Sequence, residues 1–552
     1  MSKDELVFLP LGGSGEIGMN MNLYGYGRAS DRKWIMIDCG VTFADLTTPG
    51  IDVITPDPGY ILEMKEDLLG LFLTHAHEDH IGAVARLAPL LDCPVYATPF
   101  TAKLVEAKLE EADVAIDLHV VDMGAQLRVG PFHLEYVTLT HSIPEPNAIA
   151  IRTDLGNVLH TGDWKIDPEP TVGPATDAER LIAFGEEGVH AIVCDSTNVL
   201  SPGVSGSEMR VQENLADLIA QQKNRVFVAT FASNVGRVLS ICRAAAAVDR
   251  SVCLLGRSML RIVAAAQAVD ILPSDIEFVE PRDAGYLPKE HVLYLCTGSQ
   301  GEPRAALSRI ARDDHPDIAV NEGDTVIFSS KVIPGNEREI YNLQNALVDL
   351  GADIITEREA FIHVSGHPNQ DELRQMYEWA KPRYAIPVHG EARHLERHAE
   401  FAKELGAEAS ISPRNGDLIR IAPGAVEVID EVPAGRLYLD GRILTPEGDS
   451  ALRERRKLSW AGAAFVSIPM DARGRLAGDV DVRLLGAPRL GGSEGEYEDR
   501  LAEAVEEAVG SLPPGKRKDE AAIDIASTRA VRNLTSEDWG KRPMVVVSVL
   551  WV

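Results

Sequence analysis

Between residues 5 and 200, short apolar runs alternate with glycine-rich turns: Val7 to Leu11, Trp34 to Ile37, Gly70 to Leu73, Pro94 to Ala97, His133 to Leu139, Ala148 to Arg152, Val158 to His160 and Ala191 to Cys194. Runs this short, bounded by turn residues, predict strands. Helical periodicity is sparse here, with Thr101 to Glu111 the main example. The pattern predicts mixed sheets with helices outside them.

From about residue 205 the pattern changes. Continuous apolar runs at Arg225 to Phe231, Val252 to Leu255, Val292 to Cys296, Thr325 to Phe328 and Asp353 to Ile355 now alternate with helical segments. Continuous apolar strands between helices predict a parallel sheet covered on both faces. Several of these strands run into small polar turns, Ala232-Ser233-Asn234, Thr297 to Gly301 and Ser329-Ser330-Lys331. Such turns lie at the carboxyl ends of strands, where open α/β sheets bind ligands, and their hydroxyls, amides and glycine N–H groups suit phosphate.

Near residue 360 the first pattern resumes, with closing strands expected over 412–430, so the α/β unit reads as an insertion into the first domain. A charged linker follows Gly435. Strands at Ala464 to Ile468 and Val480 to Leu485, helices at Tyr497 to Val509 and Glu520 to Asn533, and a final strand at Met544 to Trp551 predict a small α+β domain. Gly491 to Glu498 and Pro513-Pro514-Gly515 read as loops.

A chain of 552 residues is too long for one core, and a composition of 45% hydrophobic and 25% charged residues is that of a globular protein. The net charge of −30 argues against holding nucleic acid by global charge, but not against a local basic groove or metal-mediated phosphate binding. The basic clusters Arg453 to Lys457 and Lys516 to Lys518 read as solvated surface. Six scattered cysteines without a Cys-x-x-Cys pair predict buried thiols in a reducing compartment. The early acids of the N-terminus do not fit a signal peptide, and no apolar stretch is long enough to span a bilayer. A cytoplasmic protein is expected.

The chemistry concentrates at Thr74-His-Ala-His-Glu-Asp-His80, directly after the apolar run Leu68 to Leu73. Imidazole and carboxylate ligate Zn²⁺ and related ions, and four such groups packed this closely suit two adjacent metals better than one. Further candidates stand alone at strand ends: His141, Asp163 and His389. One site would hold His75, His77 and His141, the other Asp79, His80 and His389, with Asp163 bridging. Two ions about 3.5–4 Å apart generate a bridging hydroxide near neutral pH and clamp both oxygens of an in-line displacement at phosphorus. His160 reads as structural.

The His75-to-His80 run, His141, Thr161-Gly162-Asp163 and His389 resemble the metallo-β-lactamase superfamily. The insertion, with Cys194-Asp195-Ser196-Thr197, His363-Val-Ser-Gly-His367 and Pro387-Val-His389-Gly390, resembles the β-CASP nucleases. The opening Pro10 to Asn20 run and the small C-terminal domain make the ribonuclease J family the nearest likeness. The resemblance implies a metallo-β-lactamase αββα sandwich (1–205 and 359–435), an inserted β-CASP parallel α/β domain (206–358), a linker (436–462) and a C-terminal α+β domain (463–552). It implies a 5′-to-3′ exonuclease and endonuclease of mRNA decay and rRNA maturation, with two Zn²⁺ per subunit and Mn²⁺ or Mg²⁺ as alternatives. Asp195 is then expected to orient a neighbouring ligand such as His389, and His367 to act as general acid for the leaving 3′ oxygen. Ser233, Asn234, His363, Ser365 and Gly366 are expected to bind a 5′-monophosphate or the adjacent backbone. The expected partners are single-stranded RNA, a second or further copies of the chain in a homodimer or homotetramer, and an RNA-degradation complex, with no membrane. A β-CASP DNA nuclease and a metallo-β-lactamase-fold hydrolase of small substrates are the competing enzymes; the inserted domain disfavours the latter, and a scaffold without chemistry is disfavoured by the intact ligand set.

Overall fold

In the computed structural model, residues 3–45, 47–488, 490 and 495–552 are described. They form two compact units, residues 1–42 with 55–436, and residues 43–54 with 437–552.

The first unit is built on two facing sheets. One has eight strands in the order Glu427–Glu431, Asp417–Ala422, Glu5–Gly12, Met21–Gly27, Lys33–Ile37, Leu68–Phe72, Val95–Ala97 and Leu118–Val120. The other has seven, in the order Gln126–Val129, Phe132–Thr138, Asn147–Thr153, Gly156–His160, Val189–Asp195, Tyr384–Val388 and Ala409–Ser410. Alternate residues from each sheet meet in one core, including Phe8, Tyr24, Ile35, Ile37 and Phe72 from the first and Tyr136, Ile149, Ile151, Val193 and Ile386 from the second. Each such side chain contributes about 1.5–3 kcal/mol when fully buried. Helices Ala178–Gly188, Gln370–Ala380 and Ala392–Glu404 cover the outer face of the second sheet through Leu181, Phe184, Leu373, Met376, Tyr377 and Phe401. The layers are therefore those of an αββα sandwich. The helix expected from near Ile81 is Val84–Leu91, and the helix Ala178–Gly188, which the apolar pattern left unread, belongs to the outer layer.

The insertion is a five-stranded sheet in the order Ser251–Leu255, Val292–Cys296, Val226–Ala229, Thr325–Phe328 and Asp353–Ile355, parallel throughout. Its strands are apolar on both faces because helices cover both, which is why they read as continuous runs. Its first helix, Glu208–Ala220, begins at a buried ion cluster. Glu208 pairs with Arg237 at 2.9 Å, and its backbone N–H donates to Asp167 at 2.9 Å. Asp167 pairs with Lys165 at 3.1 Å, only two residues beyond Asp163. Arg237, fully buried, also donates to the carbonyls of Ser329 at 2.9 Å and Ile362 at 3.1 Å. Burial alone would raise the Glu208 carboxyl, but Arg237 and Lys165 bring it down to about 2. Its stabilisation is complete above the ordinary carboxyl value and is lost as pH falls toward about 2. The cluster joins the insertion to the strand-end loops of the sandwich.

In the second unit, residues 436–462 are not the open linker expected. They fold as a hairpin, Arg436–Asp440 with Ile443–Pro446, and the helix Ser450–Ala461, capped by Asp449. The charges that suggested a linker are used locally: Arg455 pairs with Asp440 at 2.5 Å and Arg456 bonds the Thr47 carbonyl. The three-stranded sheet has the order Asp481–Leu485, Ala463–Met470, Met544–Trp551, and helices Glu496–Gly510 and Glu520–Asp538 cover one face. Of the acidic stretch expected as a loop, residues 491–494 lie outside the described residues, and Glu496 to Glu498 already belong to the first of these helices. Met544–Trp551 is the outermost strand, so its far edge has no strand partner among the described residues.

Candidate metal centre

Every candidate ligand follows the carboxyl end of a strand, His75 and His77 in the loop after Leu68–Phe72 and Asp79 and His80 on the short helix Glu78–Ile81 that comes next. Lys33–Ile37 runs parallel to Leu68–Phe72, and Gly156–His160, Val189–Asp195 and Tyr384–Val388 run parallel to one another. Their ends therefore open on one rim, where the sandwich brings the two sheets together. The geometry gathers His75, His77 and His141 into one group and Asp79, His80, Asp163 and His389 into a second. Within the first, His77 Nδ1 lies 3.1 Å from both His75 Nε2 and His141 Nε2. Three ligands of a tetrahedral zinc with bonds of about 2.0–2.1 Å would stand roughly 3.3 Å apart. Asp163 Oδ2 lies 3.2 Å from His80 Nε2, 3.4 Å from His389 Nε2, 3.9 Å from His141 Nε2 and 4.0 Å from His75 Nε2. It stands between the two groups, as a bridging ligand would.

The residues fit two cations. Asp163 Oδ1 and His389 Nε2 are buried without a hydrogen-bond partner. Leaving such groups unpaired costs about 1–3 kcal/mol each, which coordination would offset. Burial holds the His75 and His141 rings well below the usual range and lowers His77 to about 4. These rings are neutral at neutral pH, the form that ligates metal. Burial pushes the Asp163 carboxyl up, but His389, His80 and His367 outweigh it and hold the group well below its usual range.

Each inward nitrogen is set by what the outward one touches, since the outer hydrogen bond fixes tautomer and ring orientation. His80 Nδ1 donates to Asp38 at 2.7 Å. His75 Nδ1 meets the Thr74 hydroxyl at 2.9 Å, and that hydroxyl donates to Asp38 at 2.9 Å. His141 Nδ1 donates to the Gly366 carbonyl at 2.5 Å. A Cβ on Gly366 would lie 2.7 Å from the His141 ring, so only glycine allows this approach. His77 Nε2 lies 3.2 Å from the Ser233 hydroxyl, a contact from the insertion to the first cluster.

Asp195 does not orient His389 as expected. Its Oδ2 accepts from His367 Nδ1 at 2.8 Å, and its Oδ1 accepts from the Thr197 N–H at 2.8 Å. The left-handed turn at His389 (φ 52°) swings that ring to the other side, where its Nδ1 meets Asn20. His367 lies 3.9 Å from Asp163, beside both groups. Burial opposes a charge on it, yet Asp195 and then Asp163 and Asp79 raise it to about 9.

The expected phosphate residues divide. Ser233 faces the cluster through His77, and the Gly366 carbonyl is taken up by His141. Asn234 is occupied elsewhere: its Oδ1 caps the helix Val235–Ala247 by accepting from the Arg237 N–H, and its Nδ2 donates to Glu208 at 3.1 Å. Ser365 accepts from Asn198 at 2.7 Å. Burial, then Arg237, lowers His363 to about 3, and its Nδ1 has no partner. An open cleft lies against His141, Ser142, Thr171 and Asn234. His160 bonds the Tyr24 hydroxyl at 2.9 Å, apart from the cluster.

Sequence reasoning missed Asp38 altogether, and quoted Thr74 and Asn20 only as the ends of motifs, with no role of their own. A signal for Asp38 was present: it follows the apolar run Trp34 to Ile37, as Asp163 and Asp195 follow theirs.

Four family models match the chain: the metallo-beta-lactamase superfamily over residues 23–192, the ribonuclease J beta-CASP domain over 223–347, the Zn-dependent metallo-hydrolase RNA specificity domain over 351–413, and the ribonuclease J C-terminal domain over 450–552. The chain is 50% identical over 548 residues to ribonuclease J of Sinorhizobium meliloti, covering 99% of this chain and 97% of that one. It is 38% identical to ribonuclease J of Mycobacterium tuberculosis (98% and 96% covered) and 33% identical to that of Thermus thermophilus (99% and 96%). A crystal structure of a protein of unknown function from Enterococcus faecalis V583 shares the fold, with a TM-score of 0.54 at 16% identity over 76% of this chain and 100% of that one.

Proposed function

The chain belongs to the ribonuclease J family and is a metal-dependent ribonuclease, and on that premise we propose that it degrades RNA from a 5′-monophosphate end and also cleaves internally. His75, His77 and His141 would hold one zinc ion and Asp79, His80 and His389 the other, with Asp163 shared between them. The observation that carries this reading is the convergence of inward-facing imidazole nitrogens on Asp163, with His389 Nε2 and Asp163 Oδ1 buried and unpaired. Zinc bound there supplies an acidified water and a double positive clamp on the scissile phosphate.

The chain's own groups do the rest. Asp38, Thr74 and the Gly366 carbonyl hold His80, His75 and His141 with their ligating nitrogens inward. His367 carries its proton at neutral pH and stands beside the cluster, so it donates to the departing 3′ oxygen, with Asp195 holding its Nδ1 and leaving Nε2 to donate. Ser233, Ser365 and the neutral His363 receive the 5′-phosphate as hydrogen-bond donors. The insertion is thus the wall against which RNA is placed, and a chain of net charge −30 binds its substrate through this local site.

Incubation with end-labelled RNA tests the reading. With Zn²⁺ or Mn²⁺, 5′-monophosphate RNA is expected to release mononucleotides faster than its 5′-hydroxyl or 5′-triphosphate counterpart, and a chelator should abolish release. A DNA strand of the same sequence should be cut poorly. Equal rates on all three 5′ ends would remove the phosphate assignment; full activity in chelator would remove the metal centre.

The same reading places the protein in the cytoplasm as a homo-oligomer, paired through the free edge of Met544–Trp551. The strand's uncovered face exposes Val546 and Leu550, and a long apolar strand with an unpaired edge invites pairing. Light scattering should give a multiple of 59.9 kDa for the full chain and a monomer for a chain ending near residue 450. A monomeric full chain refutes the pairing.

A further inference from the structure

Asn20 closes the glycine-rich turn between strands Glu5–Gly12 and Met21–Gly27 and is 2% exposed. Its backbone is held at both ends: its N–H donates to the Asp79 carbonyl at 2.9 Å, and its carbonyl accepts from the Gly40 N–H at 2.9 Å. Its side chain reaches the same place, with Nδ2 donating to the Asp79 carbonyl at 3.1 Å. That bond sets the amide, turning Nδ2 toward Asp79. Both amide atoms then lie within reach of His389 Nδ1, Oδ1 at 3.1 Å and Nδ2 at 2.9 Å, and Nδ2 is also 3.1 Å from His80 Nε2.

The chemistry of ligation chooses between the two contacts. A His389 that ligates through Nε2 carries its proton on Nδ1, so only an acceptor can satisfy it there. Asn20 Oδ1 is the acceptor in place. The same turn grips the His389 backbone, whose N–H donates to the Gly13 carbonyl at 2.7 Å while φ stands at 52°. A Cβ on Gly13 would sit 2.3 Å from Asn20 Oδ1, so the glycine makes room for this oxygen. Backbone and ring of His389, a ligand that arrives in sequence only after the whole insertion, are thus both held by residues 13–20.

We propose that Asn20 is the positioning residue of the second metal site: it fixes the Nδ1–H tautomer and the ring direction of His389, and in the same contact ties that ligand to the chain carrying Asp79. The proposal rests on the two-ion reading. Outer partners of ligating histidines typically contribute about 10–100-fold in metal affinity.

The test is zinc affinity, measured on full-length chains by competition with a chromophoric chelator. In a His77→Ala background, which disables the first site, the one remaining zinc reports the second. There Asn20→Ala is expected to weaken zinc by about 10–100-fold, and Asn20→Asp, which keeps an acceptor for Nδ1–H but loses the donor to Asp79, should stay within about threefold of its parent. Circular dichroism and melting show that each chain folds; should Asn20→Ala not fold, Asn20→Ser, too short to reach His389, carries the same expectation. Unchanged affinity in Asn20→Ala overturns the proposal. So does an Asn20→Asp as weak as Asn20→Ala, because Asn20 would then act only as a brace on the Asp79 carbonyl. A His77→Ala parent that binds no zinc removes the two-ion reading itself, and the proposal with it.

Discussion

His77→Ala should lower turnover on RNA by at least about a thousandfold, equivalent to about 4 kcal/mol of transition-state stabilisation, while leaving the chain folded. His77 is the hub of the first cluster, its Nδ1 lying 3.1 Å from the ligating nitrogens of both His75 and His141. Without it only His75, His141 and the shared Asp163 would remain, a set without the central imidazole that closes the three-histidine face. The ring also meets Ser233 at 3.2 Å, so truncation removes a contact between the insertion and the first cluster. Stability should change by only about 1 kcal/mol, since a neutral, half-buried ring is lost from a strand-end loop and not from the core. Zinc content per chain should fall by one while the melting curve hardly moves. A variant that retains both zinc and activity would show that the first cluster is not a metal site.

The second large effect concerns the departing oxygen. His367→Ala should reduce turnover by about 10²–10⁴-fold, the usual contribution of a positioned general acid. The zinc content should stay at the wild-type level, because His367 is bound by Asp195 at 2.8 Å and is a general-acid candidate outside the two ligand sets. A substrate with sulfur in place of the scissile 3′ oxygen decides its role. Sulfur leaves without a proton, so such RNA should be cleaved by His367→Ala nearly as fast as by the unaltered chain. An equal defect on oxygen and sulfur substrates would mean that His367 binds phosphate and protonates nothing. With a ring raised to about 9, the acid is in its competent form below that value and is lost as pH rises through it. The alkaline side of the rate profile should therefore flatten in the variant.

The two readings of His389 show where sequence reasoning stops. As a strand-end histidine beside Gly390 it was recognisable as a ligand, because apolar runs ending in His or Asp repeat through the first domain and parallel strands bring such ends to one rim. Its partner was assigned to Asp195, which is also at a strand end. The structure pairs Asp195 with His367 and His389 with Asn20 because the backbone turns left-handed at His389. A positive φ at a histidine leaves no mark in an apolar pattern. Asn234 makes the same point: its place after a strand suggested phosphate, but it caps the helix that follows, a role open to any Asn at that boundary.

What the sequence by itself determined is the set of local objects. Apolar runs joined by glycine-rich turns, and then apolar runs joined by helices, separated the sandwich from the inserted parallel sheet, because parallel neighbours need a long crossover and antiparallel ones only a turn. The clustered ligands at 75–80, with His141, Asp163 and His389 at strand ends, named the chemistry. Tertiary structure alone decided the pairings among them. Asp38 with His80, Gly366 with His141, Ser233 with His77 and Asn20 with His389 join residues 42, 225, 156 and 369 positions apart. Contacts at such separations depend on ring tautomers, carbonyl directions and the absence of a Cβ, and these are set by packing in three dimensions, not by the spacing of residues along the chain.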